Sequence, residues 1–217
     1  MSWEALGNAA RDAGLALRGG FHPGPGDGAP EGCATLVLLG PDEPRFWPLF
    51  TASPEYRDGA PHALDRWSKR VIGSLASAWN ATAVFPYDGP PYAPFLAWAR
   101  AAGSHPSPVG LLVHEEAGLF ISFRGALALP QKLDLPPPST SPCPSCADRP
   151  CESACPVAAL RTGADYDVAA CQTHTRSAEG AECLHGGCLV RRACPVSQKF
   201  GRLREQSAFH MAAFVKD

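Results

Sequence analysis

The sequence predicts an α+β protein in which helices pack on a mixed, partly antiparallel sheet, followed by a small cysteine-rich domain. Three observations carry that expectation. As far as Pro130, segments of helical periodicity are mixed with short apolar, strand-like runs. The stretch Leu135-Pro136-Pro137-Pro138-Ser139-Thr140-Ser141-Pro142 then favours extended backbone and suits a linker. Beyond it, eight of the nine cysteines fall between Cys143 and Cys194. The expected organisation is a first domain over residues 1–134, a linker at 135–142 and a cysteine domain over 143–217.

Element by element, Ser2 is placed to cap a helix with Glu4 in its first turn, ending by Gly14. Leu15–Leu17 starts a strand, and Gly20–Gly32, with Pro23, Pro25 and Pro30, reads as a loop. Cys33–Leu39 has the composition of a buried strand, and Arg45–Phe50 that of a short helix. Over Ala60–Asn80, Leu64, Trp67, Val71, Leu75, Ala78 and Trp79 recur at three- and four-residue steps, which predicts a helix. Trp67, Trp79 and Trp98 are therefore expected in the core. Ala81–Phe85 is a short strand, and Tyr92–Ala102 a helix with Pro94 in its first turn. Val109–His114 and Leu119–Phe123 frame a hairpin around Glu115–Gly118, and Ala126–Leu129 continues as a strand. No internal repeat is visible.

The net charge of −2 gives no global reason to expect nucleic acid or membrane binding. Met1–Leu17 carries Glu4 and Asp12 without a continuous apolar run, unlike a secretory signal. No apolar run approaches the ~18–20 residues of a membrane span. The protein is thus expected to be cytoplasmic. There, thiols are kept reduced, so metal or cluster ligation explains the cysteines better than disulfides.

The run Cys143-Pro144-Ser145-Cys146-x4-Cys151-x3-Cys155-Pro156 resembles the bacterial ferredoxin motif, with four residues rather than two between its second and third cysteines. In that motif three thiolates hold one cluster, and the fourth, followed by Pro, ligates the other. A reciprocal set follows: Cys171, Cys183, Cys188 and Cys194-Pro195. The resemblance implies one 4Fe–4S cluster on Cys143, Cys146, Cys151 and Cys194, and a second on Cys155, Cys171, Cys183 and Cys188. Thr173–Gly187 reads as a loop over the second cluster. Val157–Leu160 looks like the short helix beside ferredoxin clusters. After Cys194 the chain reads as a helix exposing Lys199, Arg202 and Arg204. Other readings stay open: two zinc sites of four cysteines each, structural thiols, or His174 or His185 in place of a thiolate. Cys33 reads as a buried small hydrophobe, with a catalytic thiol as the alternative.

The cysteine part is also similar to the dicluster domain of epoxyqueuosine reductases and reductive dehalogenases, through the sixteen-residue step from Cys155 to Cys171 and the closing Cys-Pro. The first part resembles cobalamin-processing proteins of the cblC type, which have a nitroreductase-like (flavin-reductase) fold. That likeness runs from Cys33 to Pro130 and is best from Val109 through His114, Gly118, Arg124-Gly125 to Pro130. It implies cofactor-binding roles for Arg124 and His114. No histidine occurs in Phe85–Tyr92, where that family carries one. This loop holds three prolines with Tyr87 and Tyr92, and suits either a flat corrin or flavin ring or ordinary packing. Arg124 has a plain alternative as a salt-bridge residue.

Together these resemblances imply an iron–sulfur oxidoreductase passing electrons through two 4Fe–4S clusters to cobalamin, another corrinoid, or a flavin (FMN or FAD). A low-potential donor such as flavodoxin, ferredoxin or a reductase would feed it. No catalytic residue is assigned; Asp88, Tyr87 and Tyr92 are candidates for moving a proton. The alternatives are a ferredoxin-like carrier whose first domain docks a partner, an epoxyqueuosine-reductase-like enzyme acting on tRNA, and corrinoid storage.

Overall fold

Ser2 caps the first helix, α1 (Trp3–Asp12), its Oγ accepting a hydrogen bond from the Ala5 amide at 3.2 Å. The computed structural model describes residues 2–216. The chain forms two compact units. One runs as far as Ser104 and resumes over Ser122–Ser139; the other comprises His105–Ile121 and the chain from Thr140.

In the first unit α1 is followed by β1 (Leu15–Phe21), β2 (Thr35–Pro41), α2 (Phe46–Thr51), α3 (Pro54–Arg57), α4 (Ala63–Ala78), β3 (Thr82–Val84) and α5 (Phe95–Ala101). The chain then enters the second unit, where β4 (His105–Pro106) pairs with β5 (Leu112–Val113), and returns as β6 (Gly125–Leu129). The sheet order is β1-β2-β6-β3, and every bonded pair is antiparallel. The α+β class stands, but the sheet is not mixed. β2 and β3 run in the same direction, and β6 inserts between them, antiparallel to both.

β2 and β6 are buried along their whole length, which is why both read as continuous apolar runs. Helix α4 buries Leu64, Trp67, Ser68, Ile72, Leu75 and Ala76; Leu64, Trp67 and Leu75 are where the periodicity predicts, whereas Val71 is only half-buried and Ala78 is exposed. Trp67 meets Phe46 edge-on at 5.2 Å and Phe50 at 6.0 Å. Trp98 is fully enclosed, and its Nε1 donates to the Asp27 carbonyl at 2.7 Å. Trp79, at the end of α4, is only half-buried. Cys33 sits half-buried just ahead of β2, and burial pushes its thiol up from the usual range.

The hairpin expected around Glu115–Gly118 does not form. Leu112–Val113 pairs back to His105–Pro106, and only a single His114–Gly118 bridge survives. Leu119–Phe123 is not a strand, because the Leu119 amide is taken by the Ser197 hydroxyl at 2.8 Å. This also moves the expected domain boundary: His105–Ile121 belongs to the second unit, and the break after Ser139 lies inside the Pro-rich stretch.

The second unit begins with 3₁₀ turns at Cys143–Ser145 and Pro150–Glu152, then α6 (Val168–Arg176), α7 (Ala181–Gly186), α8 (Leu189–Ala193), α9 (Pro195–Lys199) and α10 (Arg204–Phe214). Thr173–Gly187 is therefore largely helical rather than a loop; Asp167 caps α6 by accepting from the Ala170 amide at 2.9 Å. Val157–Leu160 is a turn rather than a helix: Ala158 has φ +50°, and the Ala159 amide bonds the Cys155 sulfur at 3.2 Å. The single helix expected after Cys194 is two helices, α9 and α10, interrupted around Gly201 at φ +80°. Among the described residues no helix is long and apolar enough to cross a membrane.

β1 continues through Gly19 and Gly20, which composition alone assigns partly to a loop. The register shifts between Leu17 and Gly20, and Gly19 has φ +101°. A Cβ there would lie 1.9 Å from the Ala102 carbonyl oxygen. Gly19→Ala should therefore destabilise the protein by about 3 kcal/mol, a fall in Tm of roughly 6–12 °C. Thermal denaturation followed by circular dichroism checks this, and an unchanged midpoint would contradict the close approach.

Candidate metal centre

The first cysteine group is assembled from three turns. Cys143 opens a 3₁₀ turn closed by the Cys146 amide donating to its carbonyl at 3.1 Å. Cys151 sits in a second such turn, entered through Arg149 at φ +39°. Cys194 ends α8 and starts α9 with φ −64° and ψ 123°, a conformation outside the helical region. Pro195 explains it: its ring disfavours helical backbone at the preceding residue and fits the first position of the next helix.

These four cysteines line one cavity of about 300 Å³, together with Val113 and Leu119. Burial raises the Cys143 and Cys151 thiols above the ordinary range. A hydrogen bond with Ser141 opposes this at Cys143, and neighbouring thiols add to it: Cys194 and Cys146 act on Cys143, while Cys143 and Cys194 act on Cys151. Cys194 thus stands beside cysteines more than forty positions earlier in the sequence.

The second group comes from separate elements. Cys155 follows the second turn, Cys171 lies in α6, Cys183 in α7, and Cys188 immediately precedes α8. Burial raises Cys183, and Cys188, Cys171 and Cys155 add to the effect. Burial also raises Cys188, with Cys171 contributing in the same sense. Cys143, Cys146, Cys151 and Cys194 thus line one cavity, and Cys155, Cys171, Cys183 and Cys188 are not among its lining residues. All nine cysteines are free thiols. Among the described residues, no three His, Cys, Asp or Glu side chains converge tightly enough to hold one metal ion. His185 is exposed and His174 acts electrostatically on Glu179.

No family model, curated protein or solved structure matches this chain.

The other expected site residues are placed as follows. Arg124 pairs with Asp65 through Nη2 at 2.9 Å, and burial pushes its guanidinium down despite that partner. Tyr87 donates its hydroxyl to the Asp65 carbonyl at 2.9 Å and stacks on Phe85 at 5.6 Å. Burial, then Asp65, raises its phenol well above the usual range. Asp88 is bound to Lys69 at 2.8 Å. Arg124 and Tyr87 thus meet at Asp65, whereas Tyr92 is 63% exposed. His114 belongs to the second unit, where it is buried and its Nδ1 accepts from the Glu116 amide at 3.2 Å.

Arg191, Ser197 and Tyr166 were not singled out by sequence, and Arg202, expected on an exposed helix face, is instead half-buried against Phe120. Arg191 donates to the Leu119 carbonyl, and burial lowers its guanidinium. Ser197 accepts from the Leu119 amide, and Arg202 donates to the Phe120 carbonyl at 3.3 Å while lying 5.1 Å over its ring. Tyr166 shares a hydrogen bond with Cys171. The available signal was that Arg191 and Arg192 are the only charges between Cys188 and Cys194.

Gly118 makes this clamp possible. It has φ +56°, and a Cβ would lie 2.5 Å from both the amide nitrogen and the hydroxyl of Ser197. Gly118→Ala should cost about 3 kcal/mol and lower Tm by roughly 6–12 °C. Calorimetry checks this, and a stability equal to the parent would contradict the packing.

Proposed function

We propose that the second unit holds two 4Fe–4S clusters, one on Cys143, Cys146, Cys151 and Cys194 and one on Cys155, Cys171, Cys183 and Cys188, and that the chain is an iron–sulfur electron-transfer protein. The observation that supports this is that Cys143, Cys146, Cys151 and Cys194 line one cavity and Cys155 is not among its lining residues. A sequential division would group Cys143, Cys146, Cys151 and Cys155, yet Cys194 is the thiol felt by Cys143 and Cys151, while Cys155 is felt by Cys183. Cubanes in these sites would supply one-electron transfer at low potential. The chain's residues do the rest. Cys-Pro steps turn the backbone from one site to the other, and Arg191 provides positive charge beside Cys188.

In the oxidoreductase reading, the first unit binds the acceptor, a corrinoid or flavin. A low-potential one-electron donor then supplies the second unit. Sharing one chain keeps donor and acceptor at high effective concentration. The second reading is a carrier whose first unit docks a partner protein. One observation favours it: Arg124, the residue expected to reach a cofactor, is already held by Asp65.

Anaerobic purification followed by iron and sulfide assay should give about eight of each per chain. Cys194→Ser should deplete iron from one site and leave the other loaded. Two zinc ions and no sulfide would overturn the proposal. Titration with hydroxocobalamin and FMN then separates the readings: the oxidoreductase requires a spectral shift with one of them, and the carrier requires none.

A further inference from the structure

We propose that a recess among α7, α8, α9 and α10 of the second unit is a binding site for a small molecule that carries a phosphate group. The recess holds about 630 Å³, a volume typical of small-molecule sites and larger than a bare phosphate ion needs. Arg192, Arg202 and Arg204 line it, and among the described residues no cysteine, aspartate or glutamate does. It is therefore separate from the proposed cluster ligands, and the inference does not rest on them.

The fold positions the three guanidinium groups. Arg192 lies in α8 and Arg204 starts α10, and both reach Glu182 in α7. Arg204 holds this carboxylate with two bonds, Nη2 to Oε2 at 2.7 Å and Nη1 to Oε1 at 3.0 Å, and Arg192 Nη1 donates to the same Oε1. The three groups meet over Gly186. A Cβ on Gly186 would lie 2.6 Å from Glu182 Oε1, 2.8 Å from Arg192 Nη1 and 3.0 Å from Arg204 Nη1. Gly186 belongs to α7 and has no left-handed backbone. A glycine there weakens the helix relative to alanine, and what it provides is room for the two guanidinium groups. Arg202 is fixed independently. It donates to the Phe120 carbonyl at 3.3 Å and lies 5.1 Å over the Phe120 ring, which keeps its charge at the wall.

Charge and donor number select the ligand. Three cations against the one carboxylate of Glu182 leave two positive charges in excess. Glu205, next to Arg204, does not line the recess. A phosphate monoester carries about two negative charges near neutral pH and three acceptor oxygens, which matches that excess. A ligand carboxylate brings one charge and two oxygens. A guanidinium presents more N–H donors than one carboxylate can use, and its planar fork suits phosphate. Arg192 and Arg204 are 37% and 54% exposed, so a solute can reach them. Phe120, Leu189, Ala154 and Ala193 make the rest of the wall apolar, which suits the organic part of the molecule. The rival is an ion trio that only ties α7 to α8 and α10. Ion pairs this exposed add little to stability, and a tie alone needs neither the third cation nor the recess.

The test is isothermal titration calorimetry of the full chain, purified anaerobically in phosphate-free buffer, with phenyl phosphate and with benzoate as its carboxylate counterpart. Phenyl phosphate should bind saturably, at least about tenfold more tightly than benzoate, and more weakly as salt rises. Arg202→Gln and Arg204→Gln should each weaken it about tenfold. Glu182→Gln should tighten it, because a competing negative charge is gone. Circular dichroism establishes that each variant folds, and if Arg202→Gln does not, Arg204→Gln decides. No saturable binding, equal affinity for benzoate, wild-type affinity in Arg204→Gln, or weaker binding by Glu182→Gln would overturn the proposal. Iron assay of the same sample reports separately on the two-cluster reading.

Discussion

The second unit is built around sulfur. Its buried cluster consists of Val109, Val113, Leu119, Leu160 and Val190 with Cys151 and Cys194, while Cys143, Cys155 and Cys188 pack against its edge. Few large side chains contribute, so the cysteines supply much of the interior. Cysteines of both proposed sets touch the same apolar cluster.

The segment His105–Ile121 follows from that constraint. Leu119 contributes its side chain to the cluster, and both of its backbone polar groups are spoken for, the amide by Ser197 and the carbonyl by Arg191. A strand partner would have competed for the same groups. One residue therefore joins three features: the apolar interior, the start of α9 and the cation beside Cys188. In the first unit the corresponding organising features are apolar, with β2 and β6 buried end to end and Trp67 wedged against Phe46 and Phe50.

The helices and central strands of the first unit were legible because their signals are local: the period of α4, the Ser2 cap and the apolar runs at β2 and β6. The strand order was not, since nothing in the sequence of Gly125–Leu129 says that it lies between β2 and β3. Gly19 and Gly20 carry loop composition but serve close approaches to distant residues, Gly19 to Ala102 and Gly20 to Leu36 and Trp3. The Val109–Phe123 hairpin failed for the same reason: its alternation was real, but the pairing partner was Ser197. Among the cysteines, the two Cys-Pro steps signalled the crossed sets. Arg191, Tyr166 and Ser197 act through tertiary neighbours and left only a weak trace. Arg124 illustrates the opposite case, a residue made prominent by resemblance whose Nη2 pairs with the partly exposed Asp65 while its buried Nε has no hydrogen-bond partner among the described residues.

The central claim is that distant stretches of chain meet crosswise on two inorganic centres. Anomalous diffraction at the iron absorption edge, from crystals grown without oxygen, tests it most directly. The account predicts two compact iron peaks, one enclosed by Cys143, Cys146, Cys151 and Cys194 and the other by Cys155, Cys171, Cys183 and Cys188. A peak bounded by Cys143, Cys146, Cys151 and Cys155, or signal at the zinc edge alone, would contradict it.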